Sequence, residues 1–140
     1  MNRIHRYAAR GFSLIEMMIV LAIIAILAAI VYPSYTSYMV KTRRAEAAGI
    51  LQEAAMAIER QYGQTRDYSK ITLPTDLAKS PKSGDTFYTV TLATPDSRTY
   101  TLTATPTTRQ PDAECGNLIL DQDGNRTVSG SRPAAECWGS

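Results

Sequence analysis

The stretch Gly11-Phe12-Ser13-Leu14-Ile15-Glu16 opens the segment that decides the fold of this 140-residue chain. An apolar run, MMIVLAIIAILAAIVY, follows directly from Met17 to Tyr32 and is closed by Pro33. The 21 residues from Phe12 to Tyr32 would span roughly 30 Å as a helix, which matches the thickness of the hydrocarbon core of a bilayer. The sequence therefore predicts one membrane-spanning helix near the N-terminus.

A conventional secretory signal peptide and a plain anchor helix are the simplest alternatives for such a segment, and three features disfavour the signal peptide. The run is longer than the roughly 7–15 apolar residues of a signal peptide. None of its alanines lie two positions apart, as the A-x-A cleavage pattern requires. Glu16 also places a carboxylate inside the segment, where a charge at mid-membrane depth would cost about 2.5–3.5 kcal/mol. Glu16 lies only four residues after Phe12, so it can stay near the head groups, but it still needs a partner.

The string from Gly11 to Glu16, with its short basic leader and uninterrupted apolar helix, resembles the class III signal of type IV pilins and type II secretion pseudopilins. The resemblance implies that a membrane-embedded prepilin peptidase cuts between Gly11 and Phe12. It further implies that the new Phe12 amine is N-methylated and that Glu16 acts in filament assembly. A cation at Phe12 would be a natural counter-ion for Glu16 of a neighbouring subunit, because an unpaired buried carboxylate is costly.

Pro33 interrupts the helical sequence, because proline removes one backbone hydrogen bond and favours a kink or local melting. The alternative is that Pro33 ends the helix. However, apolar residues recur beyond it at the three- and four-residue spacings of a helix, namely Ala47, Leu51, Ala54, Ile58 and Tyr62. Gly63 follows as a candidate C-cap. We therefore expect one helix from about Phe12 to Tyr62, bent near Pro33.

The C-terminal part of the chain changes to the two-residue period of β-strands. Residues 87–93 and 99–104 alternate apolar and threonine side chains around the turn Pro95–Arg98, which predicts one hairpin. Residues 116–120 and 126–128 predict a second hairpin. The expected fold class is α+β: the pilin fold, a long bent N-terminal helix with a small antiparallel sheet packed on its amphipathic half. The resemblance implies the same arrangement.

These patterns and the resemblance divide the chain into four segments. Residues 1–11 form a leader peptide that is removed, and residues 12–39 form the transmembrane and filament-core half of the helix. Residues 40–63 form the amphipathic half, and residues 64–140 form a periplasmic β-sheet head with a C-terminal disulfide loop.

Cys115 and Cys137 flank the second hairpin. A cysteine pair in a small exported domain indicates one disulfide, and the resemblance implies a disulfide-bounded loop at this position. The alternatives are two free thiols or half of a metal site, but no histidine follows Arg10 to complete a zinc site. Asp121–Asn125 looks like the start of a calcium loop. A hairpin turn is the better interpretation, since an EF-hand needs Gly at position 6 and Glu at position 12. A calcium site of the pseudopilin kind is the alternative.

The net charge of the chain depends on its leader. The whole chain carries +2, from 15 basic and 13 acidic residues. Removing residues 1–11 takes away three arginines and leaves 12 basic and 13 acidic side chains, a net of −1. We therefore expect no nucleic acid among the partners. Lys41, Arg43 and Arg44 are expected on a solvated face or opposite acidic groups of neighbouring subunits.

The orientation in the membrane rests on the resemblance more than on charge. Arg3, Arg6 and Arg10 precede the apolar helix, whereas Lys41, Arg43 and Arg44 follow it, so the positive-inside rule gives nearly a tie. The resemblance and the cysteine pair favour a single-pass protein of the bacterial inner membrane with a periplasmic head, which then joins a surface pilus filament. The implied partners are prepilin peptidase, the inner-membrane assembly platform and the N-terminal helices of other pilin subunits.

No catalytic set is visible in the sequence, because the one histidine, His5, lies in the leader and no nucleophile motif or phosphate loop occurs. We predict a structural subunit without cofactor or metal, and not an enzyme. Around Gly116–Gly130 and Ala134–Trp138 the head most resembles a PilE-type minor pilin, which would prime or join fibre assembly and support twitching motility and adhesion. The alternatives are a major pilin, a type II secretion pseudopilin, and a membrane-tethered adhesin or DNA-binding module with the same signal.

Overall fold

The computed structural model describes residues 11–139, so residues 1–10 of the predicted leader lie outside the described part. Its first element is one continuous helix, α1 (Leu14–Thr65), which contains Pro33. Proline therefore does not end the helix. The chain divides between Ser37 and Tyr38 into two compact units, which are described separately below.

The C-terminal end of α1 differs from the prediction. Gly63 lies inside the helix, which continues for two more residues to Thr65. Arg66 then adopts a left-handed backbone conformation with φ of 55°, and its N–H donates to the Tyr62 carbonyl at 2.7 Å. This single left-handed residue closes the last helical turn, which is the role that the sequence suggested for glycine.

The first unit contains the apolar half of α1. Every residue from Gly11 to Ser37 is exposed, including the large apolar side chains on all sides of the helix. By length and composition α1 is able to cross a membrane, with a mean hydropathy of 3.0 in its most apolar window. A helix that is apolar all round has to be buried in lipid or in other protein.

The second unit packs the amphipathic half of α1 against a sheet. The helical residues buried there are Arg44, Ala47, Ala48, Ile50, Leu51, Ala54 and Ile58. Four of them, Ala47, Leu51, Ala54 and Ile58, belong to the stripe predicted from the sequence, and Tyr62 lies partly buried at its end. The predicted helical face is thereby confirmed.

The sheet has five antiparallel strands in sequential order, so each strand pairs with its neighbours along the chain. The strands are β1 (Lys79–Ser80), β2 (Tyr88–Ala93), β3 (Thr101–Pro106), β4 (Leu118–Asp121) and β5 (Arg126–Val128). The pairs β2–β3 and β4–β5 are the two predicted hairpins. The α+β fold class with a small antiparallel sheet is confirmed.

Alternation along the strands separates a core face from a solvent face. Inward positions that are buried include Tyr88, Val90, Leu102, Ala104, Leu118 and Leu120. Outward positions on β2 and β3 are mostly threonines, for example the cross-strand pair Thr91 and Thr103. Threonine suits this position because β-branched side chains favour strands and tolerate water.

A short second helix, α2 (Ala134–Trp138), was not predicted. It packs on β5, and the Trp138 indole N–H donates to the Thr127 carbonyl at 3.2 Å. The Arg126 guanidinium lies 5.4 Å from the centroid of the Trp138 ring. The helix therefore covers part of an edge strand that would otherwise present free backbone groups.

Candidate processing and assembly sites

The predicted cleavage site lies directly before α1. Gly11, Phe12 and Ser13 are exposed and non-helical, and Phe12 is 79% exposed. The helical hydrogen-bond ladder begins with the Met17 N–H, which donates to the Ser13 carbonyl at 3.2 Å. The Gly11–Phe12 peptide bond is thus outside that ladder, in backbone that a peptidase can reach without unwinding a helical turn.

Glu16 lies in the first turn of α1 and contacts the residue that caps it. The Ser13 N–H donates to Glu16 Oε2 at 3.4 Å, a long hydrogen bond between positions three apart. This is one half of a capping box, in which a Glu at the third helical position reaches back to the N-cap. A carboxylate is also favoured here by the positive end of the helix dipole. Glu16 therefore has a local partner in the single subunit and stays exposed.

The disulfide loop is closed in the structure. Cys115 and Cys137 are bonded, with their Cα atoms 5.8 Å apart, and both are buried. Within the loop the Gly130 N–H donates to the Cys115 carbonyl at 3.0 Å. A Cβ on Gly130 would lie 2.1 Å from the Glu114 carbonyl oxygen, so only glycine fits where these two backbone segments meet.

The Asp121–Asn125 segment is a hairpin turn organised by one side chain. Asp121 Oδ1 accepts hydrogen bonds from the N–H groups of Asp123 and Asn125, each at 2.9 Å. Its Oδ2 accepts from Asn125 Nδ2 at 2.8 Å. The side-chain hydrogen bond from Asn125 is the main reason why the pKa of Asp121 is lowered. Both carboxylate oxygens are thus engaged by the turn, and residues 11–139 hold no group of three or more possible metal ligands.

The prediction for Arg44 was wrong. It was expected on a solvated face or opposite a neighbouring subunit, but only 6% of it is exposed and its partner belongs to the same chain. Arg44 Nε and Nη2 donate to the two carboxylate oxygens of Asp112 at 2.6 and 2.7 Å. One sequence signal could have found this burial, because Arg44 lies three residues before Ala47 and seven before Leu51, on the stripe that packs against the head.

The other two basic residues of this segment behave differently. Lys41 is exposed, as predicted. Arg43 is half-buried, and its guanidinium lies 3.7 Å from the centroid of the Phe87 ring, in a cation–π contact. Neither residue therefore joins the buried ion pair.

Two further side chains complete the surroundings of the ion pair. The Tyr88 hydroxyl donates to Asp112 Oδ2 at 2.5 Å, and Gln110 Nε2 donates to the Tyr88 hydroxyl at 3.2 Å. Gln110 Nε2 also donates to the Val40 carbonyl on α1 at 3.0 Å. We call Arg44, Tyr88, Gln110 and Asp112 the clamp. It joins the segment between β3 and β4 to the beginning of the packed part of α1.

The pKa values of Arg44 and Tyr88 are both raised by their surroundings in the clamp. Burial alone would lower the pKa of Arg44, but the hydrogen bonds and charge of Asp112 outweigh it and raise that pKa. Burial, followed by the hydrogen bond to Asp112, raises the pKa of Tyr88 well above its ordinary value. The tyrosine is therefore a neutral donor and the arginine a cation throughout the physiological pH range.

Two family models match the chain. One, described as "Type IV minor pilin ComP, DNA uptake sequence receptor", matches residues 33–119, which is more than half of the chain. The other, described as "Prokaryotic N-terminal methylation motif", matches residues 6–32. The second match covers the predicted cleavage site and the whole apolar run, and the first covers most of the head.

Curated relatives match over part of the chain. The type IV major alpha-pilin of Moraxella bovis is 46% identical over 52 residues, which are 37% of this chain and 33% of that pilin. The type IV major pilin protein PilA of Myxococcus xanthus is 34% identical over 88 residues, which are 62% of this chain and 39% of PilA. The chain therefore aligns with about a third to two fifths of the length of these relatives.

Solved structures match a larger share of the chain. A type IV pilin from Shewanella oneidensis is 32% identical, with a TM-score of 0.51 over 71% of this chain and 97% of that one. The non-core minor pilin PilV of Neisseria meningitidis shares the fold, with 24% identity and a TM-score of 0.54 over 70% and 95% of the two chains. The chain therefore belongs to the type IV pilins, in the family that the minor-pilin model describes.

Proposed function

We propose that the chain is a minor subunit of a type IV pilus that primes fibre assembly or joins the fibre at low abundance, and that it is not an enzyme. The observation that carries this proposal is the family match over residues 33–119 to a minor-pilin model. The exposed apolar half of α1 directly after a processing signal supports it, because such a helix needs lipid before assembly and sibling helices afterwards.

The proposed role of each site follows from its position. Prepilin peptidase removes the leader by cutting between Gly11 and Phe12, and Phe12 is then methylated. The helix stays attached to the head, so the processed subunit remains in the inner membrane with its head in the periplasm. The assembly platform then moves the subunit from lipid into the bundle of helices in the filament.

Glu16 would select the axial position of the subunit in that bundle. Among residues 11–139, its carboxylate accepts a hydrogen bond only from its own Ser13 N–H, at 3.4 Å, which is a weak interaction. A neighbour's Phe12 ammonium would be a stronger partner in a medium of low dielectric. A slip of one helical turn would move the carboxylate by about 5.4 Å and break that pair. The ion pair would therefore stabilise one axial register of neighbouring helices over the others.

Deletion of the gene and quantitative analysis of sheared fibres test the proposal. A minor subunit is expected to be present in fibres at a small fraction of the dominant pilin, and its loss should reduce fibre number without removing the dominant pilin from the membrane. A chain that makes up most of the fibre would be a major pilin instead. Loss of secreted enzymes with normal pili would indicate a type II secretion pseudopilin.

A second candidate function is a receptor role in DNA uptake. The description of the matching family model names this activity for the family. Against it stands the net charge of −1 for residues 12–140, which gives no general attraction to DNA. Exposed arginines such as Arg98, in the β2–β3 turn, and Arg126, on β5, would have to supply phosphate contacts.

Gel retardation with the detergent-solubilised processed protein distinguishes this second candidate. A receptor should bind a specific duplex more tightly than a shuffled one, and its affinity should fall steeply as salt rises. Arg98→Ala and Arg126→Ala should then weaken binding and natural transformation together. Absence of binding at low salt, with normal transformation in the deletion strain, would leave only the assembly role.

A further inference from the structure

Arg43 is a cation held in place by an aromatic ring. Its guanidinium lies 3.7 Å from the centroid of the Phe87 ring, which covers one face of the planar group. The ring residue is itself anchored, because the Phe87 N–H donates to the Ser80 carbonyl and the Phe87 carbonyl accepts from the Thr107 N–H, each at 2.9 Å. Among residues 11–139 no acceptor takes a hydrogen bond from the Arg43 guanidinium, and no carboxylate pairs with it. Its N–H groups are therefore able to bind an anion from outside the described chain.

Lys41 is a second cation at the same end of the head. It is exposed, and no carboxylate in the described part of the chain lies within ion-pair distance of its amine. Arg109, on the loop after β3, is by contrast neutralised by Asp85 at 2.5 Å. Glu46, the next acidic residue of α1, is exposed and pairs with neither cation. We call Lys41 and Arg43 the basic edge, because both present a positive charge that residues 11–139 leave without a partner.

The basic edge follows the apolar segment closely along the chain. A membrane span of about 20 residues that begins after Glu16 ends near Thr36. Tyr35 and Tyr38, both exposed, flank that end, and exposed tyrosines are typical of the membrane–water interface. Arg43 lies seven residues after Thr36, which is roughly 10 Å along a helix at ~1.5 Å per residue. A head-group layer of about 5–7 Å and the length of an arginine side chain together cover that distance.

We propose that the basic edge is a docking surface for anionic phospholipid head groups, with the Arg43 guanidinium as the main phosphate ligand. This inference rests on the proposed anchoring of the subunit in the inner membrane. A guanidinium binds a phosphate through two parallel hydrogen bonds, and the Phe87 ring holds it so that little side-chain freedom is lost on binding. Lys41 supplies the second positive charge. A carboxylate of a neighbouring subunit is the weaker candidate, because it is present only in the fibre, whereas the anchoring helix keeps the basic edge near lipid before assembly.

Lipid selectivity of the processed full chain in phosphatidylcholine vesicles tests the proposal. Spin-labelled phosphatidylglycerol or spin-labelled phosphatidylcholine is added, and electron paramagnetic resonance measures the fraction of each that the protein immobilises. The wild type should associate severalfold more strongly with phosphatidylglycerol, and salt should weaken this preference. Arg43→Gln should lower the ratio of the two association constants by about two- to fivefold, as expected when one cation near an anionic surface is lost. Phe87→Leu keeps the charge but removes the ring, so it should lower the ratio by a smaller factor.

Arg126→Gln is the matched control. Arg126 also lies over an aromatic ring, 5.4 Å from the centroid of Trp138, so the substitution removes the same charge from the same kind of contact. It lies at the other end of the sheet. Tyr88, next to Phe87, pairs with the last residue of β3, whereas the first residue of β3 pairs with Asp121, beside the turn that leads to Arg126. Arg126→Gln should therefore leave the lipid ratio unchanged.

Three results would overturn the proposal and leave the anchoring intact. The first is equal association of both lipids with a wild-type chain that floats with the vesicles. The second is an equal fall of the ratio in Arg43→Gln and Arg126→Gln, which would reduce the effect to overall charge. The third is an unchanged ratio in Arg43→Gln with lower recovery in sheared fibres, which would make a neighbouring subunit the partner. A chain that does not float with vesicles would instead contradict the anchoring itself, and the docking surface with it.

Discussion

The Arg44 guanidinium and the Asp112 carboxylate meet in a buried bidentate ion pair across 68 positions of the sequence. This contact joins the head-packed half of α1 to the loop between β3 and β4. The other ion pairs among residues 11–139 are exposed or partly exposed. We therefore expect loss of one partner to lower stability most in the Arg44–Asp112 pair. Asp112→Ala should lower the free energy of unfolding by about 3–5 kcal/mol, because it leaves the Arg44 charge buried and unpaired.

Chemical denaturation of the processed protein measures that loss, and Asp85→Ala is the control. Asp85 pairs with Arg109 on the surface, where an ion pair contributes about 1 kcal/mol or less. Equal losses in the free energy of unfolding for the two substitutions would show that the buried pair contributes no more to stability than the exposed pair.

Leu51 is expected to be the most sensitive apolar position on α1. Its side chain is completely buried among the helix and the sheet, whereas Met56, five residues further on, is 64% exposed. Leu51→Ala should reduce the free energy of unfolding by about 2–5 kcal/mol through lost burial and the cavity that remains. Met56→Ala should change it by about 0.5 kcal/mol or less. Similar losses for both variants would mean that α1 does not pack on the sheet through this face.

The disulfide should stabilise the loop that it closes. Replacing Cys115 and Cys137 together by serine should lower the free energy of unfolding by about 3 kcal/mol, because the unfolded chain gains the freedom of a 22-position loop. Exchange of the Gly130 amide, which donates to the Cys115 carbonyl, should rise before that of β2 and β3. Free alkylation of both thiols in periplasm-derived protein, without reductant, would contradict the bridge.

Asp121 should titrate below its ordinary pKa of 3.8, chiefly because Asn125 donates to its carboxylate. A carboxyl group with a lowered folded-state pKa contributes stability that is fully present above its unfolded pKa and is lost as the pH falls through the folded value. NMR titration should therefore show a midpoint below 3.8, and Asn125→Ala should move it upward. An unchanged midpoint in that variant would mean that the turn does not hold the carboxylate.

Glu16 should act in assembly and not in cleavage. Glu16→Gln removes the charge but keeps a residue that suits the capping position, so the start of α1 should be preserved. The processed fraction should equal that of the wild type, while the amount in sheared fibres falls severalfold. Glu46→Gln, which neutralises an exposed carboxylate on the head-packed half of α1, is the control. Normal incorporation of the Glu16 variant would rule out the role, and an unprocessed variant would place Glu16 in peptidase recognition.

The sequence predicted those elements whose patterns are long enough to repeat. The stripe from Ala47 to Ile58 covers three turns, and the alternation in β2 and β3 covers six residues in each strand. By contrast, β1 has two residues and α2 has five, so neither completes a recognisable period. The predicted end of α1 was also wrong. Gly63 was expected to end the helix, but the helix continues to Thr65 and Arg66 adopts the left-handed conformation.

The site residues divide in the same way. Gly11, Phe12 and Glu16 follow one another within a short motif, so local sequence was enough to propose them. Arg44 and Asp112 are far apart in the chain, and nothing near Asp112 distinguishes it from the other aspartates of the loops. Only the phase of Arg44 on the helix pointed to its burial, and its partner required the folded head.

Intact-mass and peptide analysis of fibres sheared from the cell surface tests the central account most directly. We predict a chain that begins at N-methylated Phe12 and carries one Cys115–Cys137 disulfide, recovered together with the dominant pilin. A chain that still carries the leader, or that begins near Ala28 as a released signal-peptidase product would, contradicts the account. So does consistent absence of the chain from fibres and from the complexes that initiate them.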